Sequence, residues 1–157
     1  MIVPVNTYIA SVIGITENGG IPIFVEPDKY YNVDDRQIET AITNKIILAV
    51  HLYGQAANMS EIKDIADRHN LLLVEDCAQS HGSKFDGQLT GTFGNIGCFS
   101  FFSTKNLGTF GDAGAIITGN QEMANRVRML RNYGSKIKYH KEIECVNSRL
   151  DEMQAAL

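Results

Sequence analysis

Six short apolar runs, none longer than six residues, alternate along this chain with segments whose apolar residues recur at helical spacing. Parallel strands need a crossover between them and are covered on both faces, so this alternation predicts strand–helix–strand units rather than hairpins or a bundle. The fold class expected is α/β: three αβα layers around a mostly parallel sheet. Its strands are expected at Ile2 to Val5, Ile21 to Glu26, Ile46 to His51, Leu71 to Glu75, Ile96 to Phe101 and Gly114 to Thr118.

Helix signals fall between these runs. Asp34 and Asp35 open a segment in which Ile38, Ala41 and Ile42 follow helical spacing. Asn58 and Glu61 have capping-box spacing ahead of an inward stripe of Ile62, Ile65 and Ala66. A further helix is expected from about Gln121 to Tyr133, with Met123, Val127 and Leu130 inward, Arg126, Arg128 and Arg131 as its solvated side, and Gly134 as its stop. Asp86-Gly87 is a turn signal between Lys84-Phe85 and Gln88-Leu89. Both ends are abrupt: Met1 opens in a strand-like run, and Leu150, Met153 and Leu157 form a helical pattern at the other end.

Composition narrows the function classes. With 14 Lys+Arg against 18 Asp+Glu, the net charge of -4 gives no basic surface for nucleic acid. No apolar run approaches the ~20 residues that cross a bilayer, and no basic-then-apolar leader opens the chain. Cys77, Cys98 and Cys145 are widely separated, with no Cys-x-x-Cys pair. They read as reduced thiols, without a disulfide framework or a zinc site, so a cytoplasmic location is expected. Gly91, Gly94 and Gly97 do not make the Gly-x-Gly-x-x-Gly of a dinucleotide loop.

Chemistry concentrates in two places. The run from Cys98 to Gly114 sets Lys105 between an apolar stretch and a glycine-rich turn, where Gly108, Gly111, Asp112 and Gly114 shape its approach. A lysine amine freed of its proton is a nucleophile for carbonyls. Upstream, Leu71 to Gly82 reads as a buried strand delivering Asp76 at its carboxyl end, where open α/β sheets bind ligands. A lysine and a carboxylate at one sheet edge are what pyridoxal 5'-phosphate needs: an amine for its aldehyde and a partner for its pyridine nitrogen. From spacing alone, Asp76 serves equally as a cap or ion-pair residue, and Lys105 as a surface lysine.

Several blocks, in order, carry a more specific message: Val3-Pro4-Val5-Asn6-Thr7-Tyr8-Ile9-Ala10, Val50-His51-Leu52-Tyr53-Gly54-Gln55, Glu75-Asp76-Cys77-Ala78-Gln79-Ser80-His81-Gly82, the Lys105 run, and Asn147-Ser148-Arg149-Leu150-Asp151-Glu152-Met153-Gln154-Ala155-Ala156. With these, residues 2 to 157 resemble the central part of the DegT/DnrJ/EryC1/StrS family of pyridoxal-phosphate sugar aminotransferases. The resemblance implies the large domain of a fold-type I pyridoxal-phosphate transferase. Residues 1 to 157 would form part of it, without the N-terminal phosphate-binding turn and the smaller C-terminal domain of such proteins. It implies that Lys105 holds the cofactor's aldehyde and moves a proton, that Asp76 partners the pyridine nitrogen, and that Gln79 bonds the 3-hydroxyl. It further implies that Tyr8 stacks on the ring, Ser100 binds the phosphate, and Asn147 reaches the cofactor of a neighbouring subunit in a homodimer. Without the family, Tyr8 reads as a half-buried aromatic, Ser100 as a strand hydroxyl bonded to backbone and Asn147 as a helix N-cap. His51 and His81 lie in matching blocks, with packing and a backbone hydrogen bond as their default roles.

The function implied is transfer of an amino group from L-glutamate to a nucleotide-linked keto sugar, with a leaning toward the C3 ketone of a deoxythymidine-diphosphate 6-deoxyhexose. The family's dehydratase branch carries histidine in place of the lysine, which Lys105 argues against. The remaining alternative is a non-catalytic relic or assembly domain that retains the fold.

Overall fold

The computed structural model describes residues 1–43, 45–137 and 139–156, so Leu157 of the expected C-terminal stripe lies outside the described residues. All six expected runs are strands: β1 (Ile2–Pro4), β2 (Ile23–Val25), β3 (Ile46–Val50) and β4 (Leu72–Asp76), then, after a small hairpin of β5 (Lys84–Phe85) and β6 (Gln88–Leu89), β7 (Ile96–Ser100) and β8 (Gly114–Ile117). Six of them form one sheet in the order β2-β1-β3-β4-β7-β8, parallel throughout except for the β7–β8 pair. Chain order reverses at β1, which lies between β2 and β3. The carboxyl ends around such a reversal splay apart and open a crevice.

Alternate residues of β1 and β3 feed opposite faces. On one face Ile2, Ile47 and Ala49 pack with Ile38 of α2 (Asp35–Ile38) and with Met59, Ile62, Ile65 and Ala66 of α3 (Met59–Arg68). On the other, Val3, Leu48 and Val50 pack with Ile15 of α1 (Ile9–Thr16) and with Leu52. The expected capping box at the start of α3 does not form: Asn58 makes no side-chain cap and turns its amide to Asp35, tying α3 to α2. Asn120 does cap α4 (Gln121–Leu130), accepting the Met123 N–H at 3.0 Å. That helix stops short of Tyr133, because Tyr133 and Gly134 both take left-handed φ, and the Gly134 N–H closes on the Met129 carbonyl. The Asp86-Gly87 turn forms as expected, with φ of 47° and 83°. A second hairpin, β9 (Ser135–Ile137) with β10 (His140–Lys141), and the short α5 (Glu152–Ala155) complete the described chain.

Helix α1 has no counterpart in the sequence patterning. It is eight residues long, contains Gly14 and several β-branched residues, and is led by Tyr8, which makes no side-chain cap. Packing of Ile15 on the sheet, rather than propensity, holds it.

Ile62 is wholly buried between α3 and the sheet. Ile62→Ala is expected to lower the unfolding free energy by about 2–5 kcal/mol. Lys63→Ala on the exposed side, losing only a surface ion pair to Asp67, is expected to cost under about 1 kcal/mol. Urea denaturation of the two variants checks both values.

Candidate active site

The crevice at the carboxyl edge of β1, β3, β4 and β7 is a cleft of about 810 Å³. Strand ends supply much of its lining, with Thr7 and Tyr8 after β1, His51 and Leu52 after β3, Asp76 at the end of β4 and Ser100 at the end of β7, and one face of α1 supplies Ala10, Ser11, Gly14 and Ile15. Lys105, Gln79 and Asp112 join them. Five of the six residues singled out in the sequence, Tyr8, Asp76, Gln79, Ser100 and Lys105, therefore share one hollow. Asn147 does not line it. That residue bridges to Asn132, and its side-chain oxygen accepts the backbone N–H and the Nε of Arg149 at 3.2 and 2.9 Å, so within this chain it shapes a turn and caps no helix.

Lys105 is half-buried on the loop after β7. The loop is folded back by hydrogen bonds from the Thr109 hydroxyl to the carbonyls of Phe101 and Gly111, both at 3.0 Å, and from the Lys105 N–H to the Phe102 carbonyl at 2.8 Å. Gly108 is required here by proximity, not by unusual φ: a Cβ on it would stand 2.6 Å from the Ser103 carbonyl oxygen. Ser100, besides lining the cleft, accepts the Phe102 N–H at 3.3 Å. Tyr8 leads α1 and leaves 70% of its surface open, a flat ring at the mouth of the cleft.

Gln79 is oriented by its neighbour. Its Oε1 accepts the Tyr53 N–H at 2.7 Å, which leaves the Nε2 end as a donor. Tyr53 reaches that position through a left-handed φ of 55°, and Gly54 follows at 80°. A non-glycine residue in this region costs energy that the surroundings must offset, and such residues concentrate at functional sites. Asp76 keeps acceptor capacity. Oδ1 takes the Ala78 N–H at 3.0 Å and Oδ2 takes the Ser11 hydroxyl at 2.8 Å, two of about four lone-pair positions. These groups fit a flat heteroaromatic cofactor: a carboxylate with room for a ring N–H, an oriented amide donor, an aromatic face and an amine in one hollow.

Beneath Asp76 lies a network that the sequence reading did not anticipate. Glu75 is fully buried and accepts the N–H groups of Gly91, Phe93 and Gly94 at 2.6, 2.8 and 2.7 Å, with His51 Nε2 at 3.1 Å. His51 Nδ1 accepts the Ala57 N–H at 3.1 Å, so its proton is on Nε2 and is donated to Glu75. Burial pushes the Glu75 carboxyl up, but the hydrogen bonds from His51 and the backbone outweigh it and hold the group below the ordinary glutamate range. Cys77 brings its sulfur within 4.8 Å of His51 and Glu75, a grouping that could suggest a metal. The Glu75 oxygens, however, are already taken by four donors. Burial, followed by the Glu75 charge, pushes the Cys77 thiol up to about 12. Cys98, beside Asp76 in the sheet, is pushed up to about 11 by burial and by the Asp76 charge. His81 packs between the rings of Phe99 and Phe101 at 5.6 and 5.5 Å. The backbone hydrogen bond expected of it is not made: both ring nitrogens are buried without a partner among the described residues.

The layered, mostly parallel sheet, with Lys105 and Asp76 lining one cleft at its switch point, has the fold of the pyridoxal-phosphate-dependent aminotransferases. The match is more specific than the class: this chain belongs to the DegT/DnrJ/EryC1/StrS aminotransferase family, whose profile covers residues 1–157. It is 49% identical over 160 residues to the dTDP-3-amino-3,4,6-trideoxy-alpha-D-glucose transaminase of Streptomyces venezuelae, matching 100% of this chain and 42% of that protein. It is 51% identical over 160 residues to the dTDP-3-amino-3,6-dideoxy-alpha-D-galactopyranose transaminase of Aneurinibacillus thermoaerophilus, matching 100% and 44%. Among solved structures, S. venezuelae DesV in complex with a ketimine intermediate superposes with a TM-score of 0.94 at 50% identity, over 99% of this chain and 43% of that one. The Bacillus subtilis protein ntda with bound cofactor PMP superposes with a TM-score of 0.91 at 37% identity, over 99% and 36%. The chain thus spans less than half the length of these relatives.

Glu75→Gln keeps the shape of the buried side chain but replaces two acceptor oxygens with one, and is expected to cost about 3 kcal/mol of stability. A carboxyl held below its unfolded range stabilises fully above that range and loses the contribution as pH falls. The parent protein's urea midpoint should therefore drop below about pH 4, and the Gln variant should lose that part of the pH dependence. Denaturation series at several pH values check this.

Proposed function

We propose that the full-length protein is a pyridoxal 5'-phosphate-dependent aminotransferase that moves an amino group from L-glutamate to a nucleotide-linked keto sugar, in the making of amino sugars. The observation that carries this reading is the meeting of Lys105, Asp76, Gln79, Ser100 and Tyr8 in a single cleft. Its two dTDP-amino-sugar relatives support a deoxythymidine-diphosphate 3-keto-6-deoxyhexose as the acceptor. Residues 1–157 act as part of the large domain.

When bound, the cofactor supplies an aldehyde for the amine and a ring that withdraws electrons. Lys105 would hold it through Nζ, and the freed amine would carry a proton within the cleft. Asp76 would partner the ring nitrogen, with acceptor positions that neither Ala78 nor Ser11 occupies. Gln79, its Oε1 pinned by Tyr53, would offer Nε2 as a donor to the ring hydroxyl. The Ser100 hydroxyl would donate to the phosphate, and Tyr8 would cover the ring. Asn147, standing outside the cleft, is the residue offered to the cofactor of a second copy, so that the working unit is a homodimer. Donor and acceptor occupy one hollow in turn, which gives ping-pong kinetics. No helix among the described residues is long and apolar enough to cross a membrane. The three separate cysteines, read as reduced thiols, support a reaction in the cytoplasm.

Borohydride reduction of the full-length protein in the presence of pyridoxal phosphate should attach the cofactor covalently, and Lys105→Ala should abolish the attachment. Mass spectrometry reads the adduct. Labelling of the Ala variant at the parental level would overturn the assignment of the lysine.

A further inference from the structure

Asp76 Oδ2 is held by a side chain from a distant part of the chain. Ser11, in the first turn of α1, donates its hydroxyl to Oδ2 at 2.8 Å across a separation of 65 residues, and the Thr7 hydroxyl donates to Ser11 Oγ at 3.1 Å. The direction of this chain is fixed. Ser11 has one proton and gives it to the carboxylate, so toward Thr7 it can only accept. Thr7, Ser11 and Asp76 all line the cleft, and the Ala78 N–H on Oδ1 sets the other edge of the carboxylate. Held from both sides, the carboxylate cannot rotate freely, and it keeps unused lone pairs in a cleft that Tyr8 and Lys105 also line.

We propose that Ser11, fed by Thr7, is a positioning residue for the pyridine-nitrogen partner: the hydroxyl chain fixes the plane of Asp76, so that one lone pair lies ready for the ring N–H. A chain of donors polarises each successive bond and strengthens the last one, which ends on a charged acceptor. The arrangement also explains how a short helix of low intrinsic propensity reaches the chemistry: α1 brings the hydroxyl, and the sheet brings the carboxylate. The inference rests on the reading of Asp76 as the ring-nitrogen partner.

The test uses the full-length protein. Ser11→Ala is expected to raise the dissociation constant for pyridoxal phosphate about tenfold and to slow the half-reaction with saturating amino donor by a similar factor, as for loss of one charge-assisted hydrogen bond. The KM for the donor and the melting temperature of the cofactor-free protein should stay at their parental values. Ser11→Thr, which keeps a hydroxyl, should restore cofactor affinity and rate to within about twofold, and Thr7→Val should shift both in the same direction by about threefold. Parental affinity and rate in S11A, or an S11T as impaired as S11A, overturns the proposal. Asp76→Asn separates the two levels. If D76N is impaired while S11A is not, the hydroxyl chain alone fails; if D76N binds and reacts like the parent, the reading of Asp76 beneath it fails as well.

Discussion

The structure turns on the alternation of one strand, β4, held in register between β3 and β7. Glu75 pairs with Ala49 and Gly97, and Asp76 with Val50 and Cys98. Consecutive residues of a strand point to opposite faces, so two adjacent carboxylates are sent to opposite sides of one sheet. Glu75 goes into a closed box of three backbone N–H groups and one imidazole. Asp76 goes into the open cleft. A slip of one residue would exchange them, burying the carboxylate that lines the cleft and exposing the one that is boxed in. The Glu75 box resists such a slip, because its donors come from the 91–94 loop that leads into β7 and from His51 at the end of β3.

The cleft is assembled from short pieces that bury little apolar surface themselves, and each is secured by polar bonds to a better-packed neighbour. Tyr53 is locked in a left-handed turn whose N–H grips Gln79. The Lys105 loop is folded by Thr109 and by the close approach of Gly108 to Ser103. Buried Asn32 ties the turn after β2 to the turn after β3, accepting the Leu52 N–H and donating to the carbonyls of Gln55 and Ala56. These bonds serve one end. Groups that bind a cofactor and move protons must be preorganised to within fractions of an ångström, and loops achieve that only when their backbone donors and acceptors are already engaged.

Much of the fold is legible from the chain as written, and the reasons are local. The five parallel strands show themselves as apolar runs because such strands are buried on both faces, and α3 shows itself by its helical stripe; α4 forms as expected, but it buries Met129 while the expected inward Leu130 stays exposed. The Asp86-Gly87 turn is read from residue type, since a left-handed pair favours these residues. What is not legible has long-range causes. Asn58 has the spacing of a capping box, yet turns to Asp35, because α2 lies within its reach. Helix α1 carries no stripe, cap or charge bias, and forms because Ile15 finds Val3, Leu48, Val50 and Leu52. Glu75 looks like a spare acid beside Asp76 until the loop bearing Gly91 and Gly94 folds over it.

By itself the sequence determined the alternation of strands and helices, hence the class of fold, and the ordered blocks that carry Lys105, Asp76 and Gln79 into one family. Only the tertiary structure decided which of those side chains share a hollow, that Asn147 stands outside it, and that Ser11 and Thr7 reach Asp76. The physical reason is one of range. Periodicity and turn chemistry act over a few residues and are written in order along the chain, whereas a hydrogen bond between residues 65 apart exists only once the sheet has set its register.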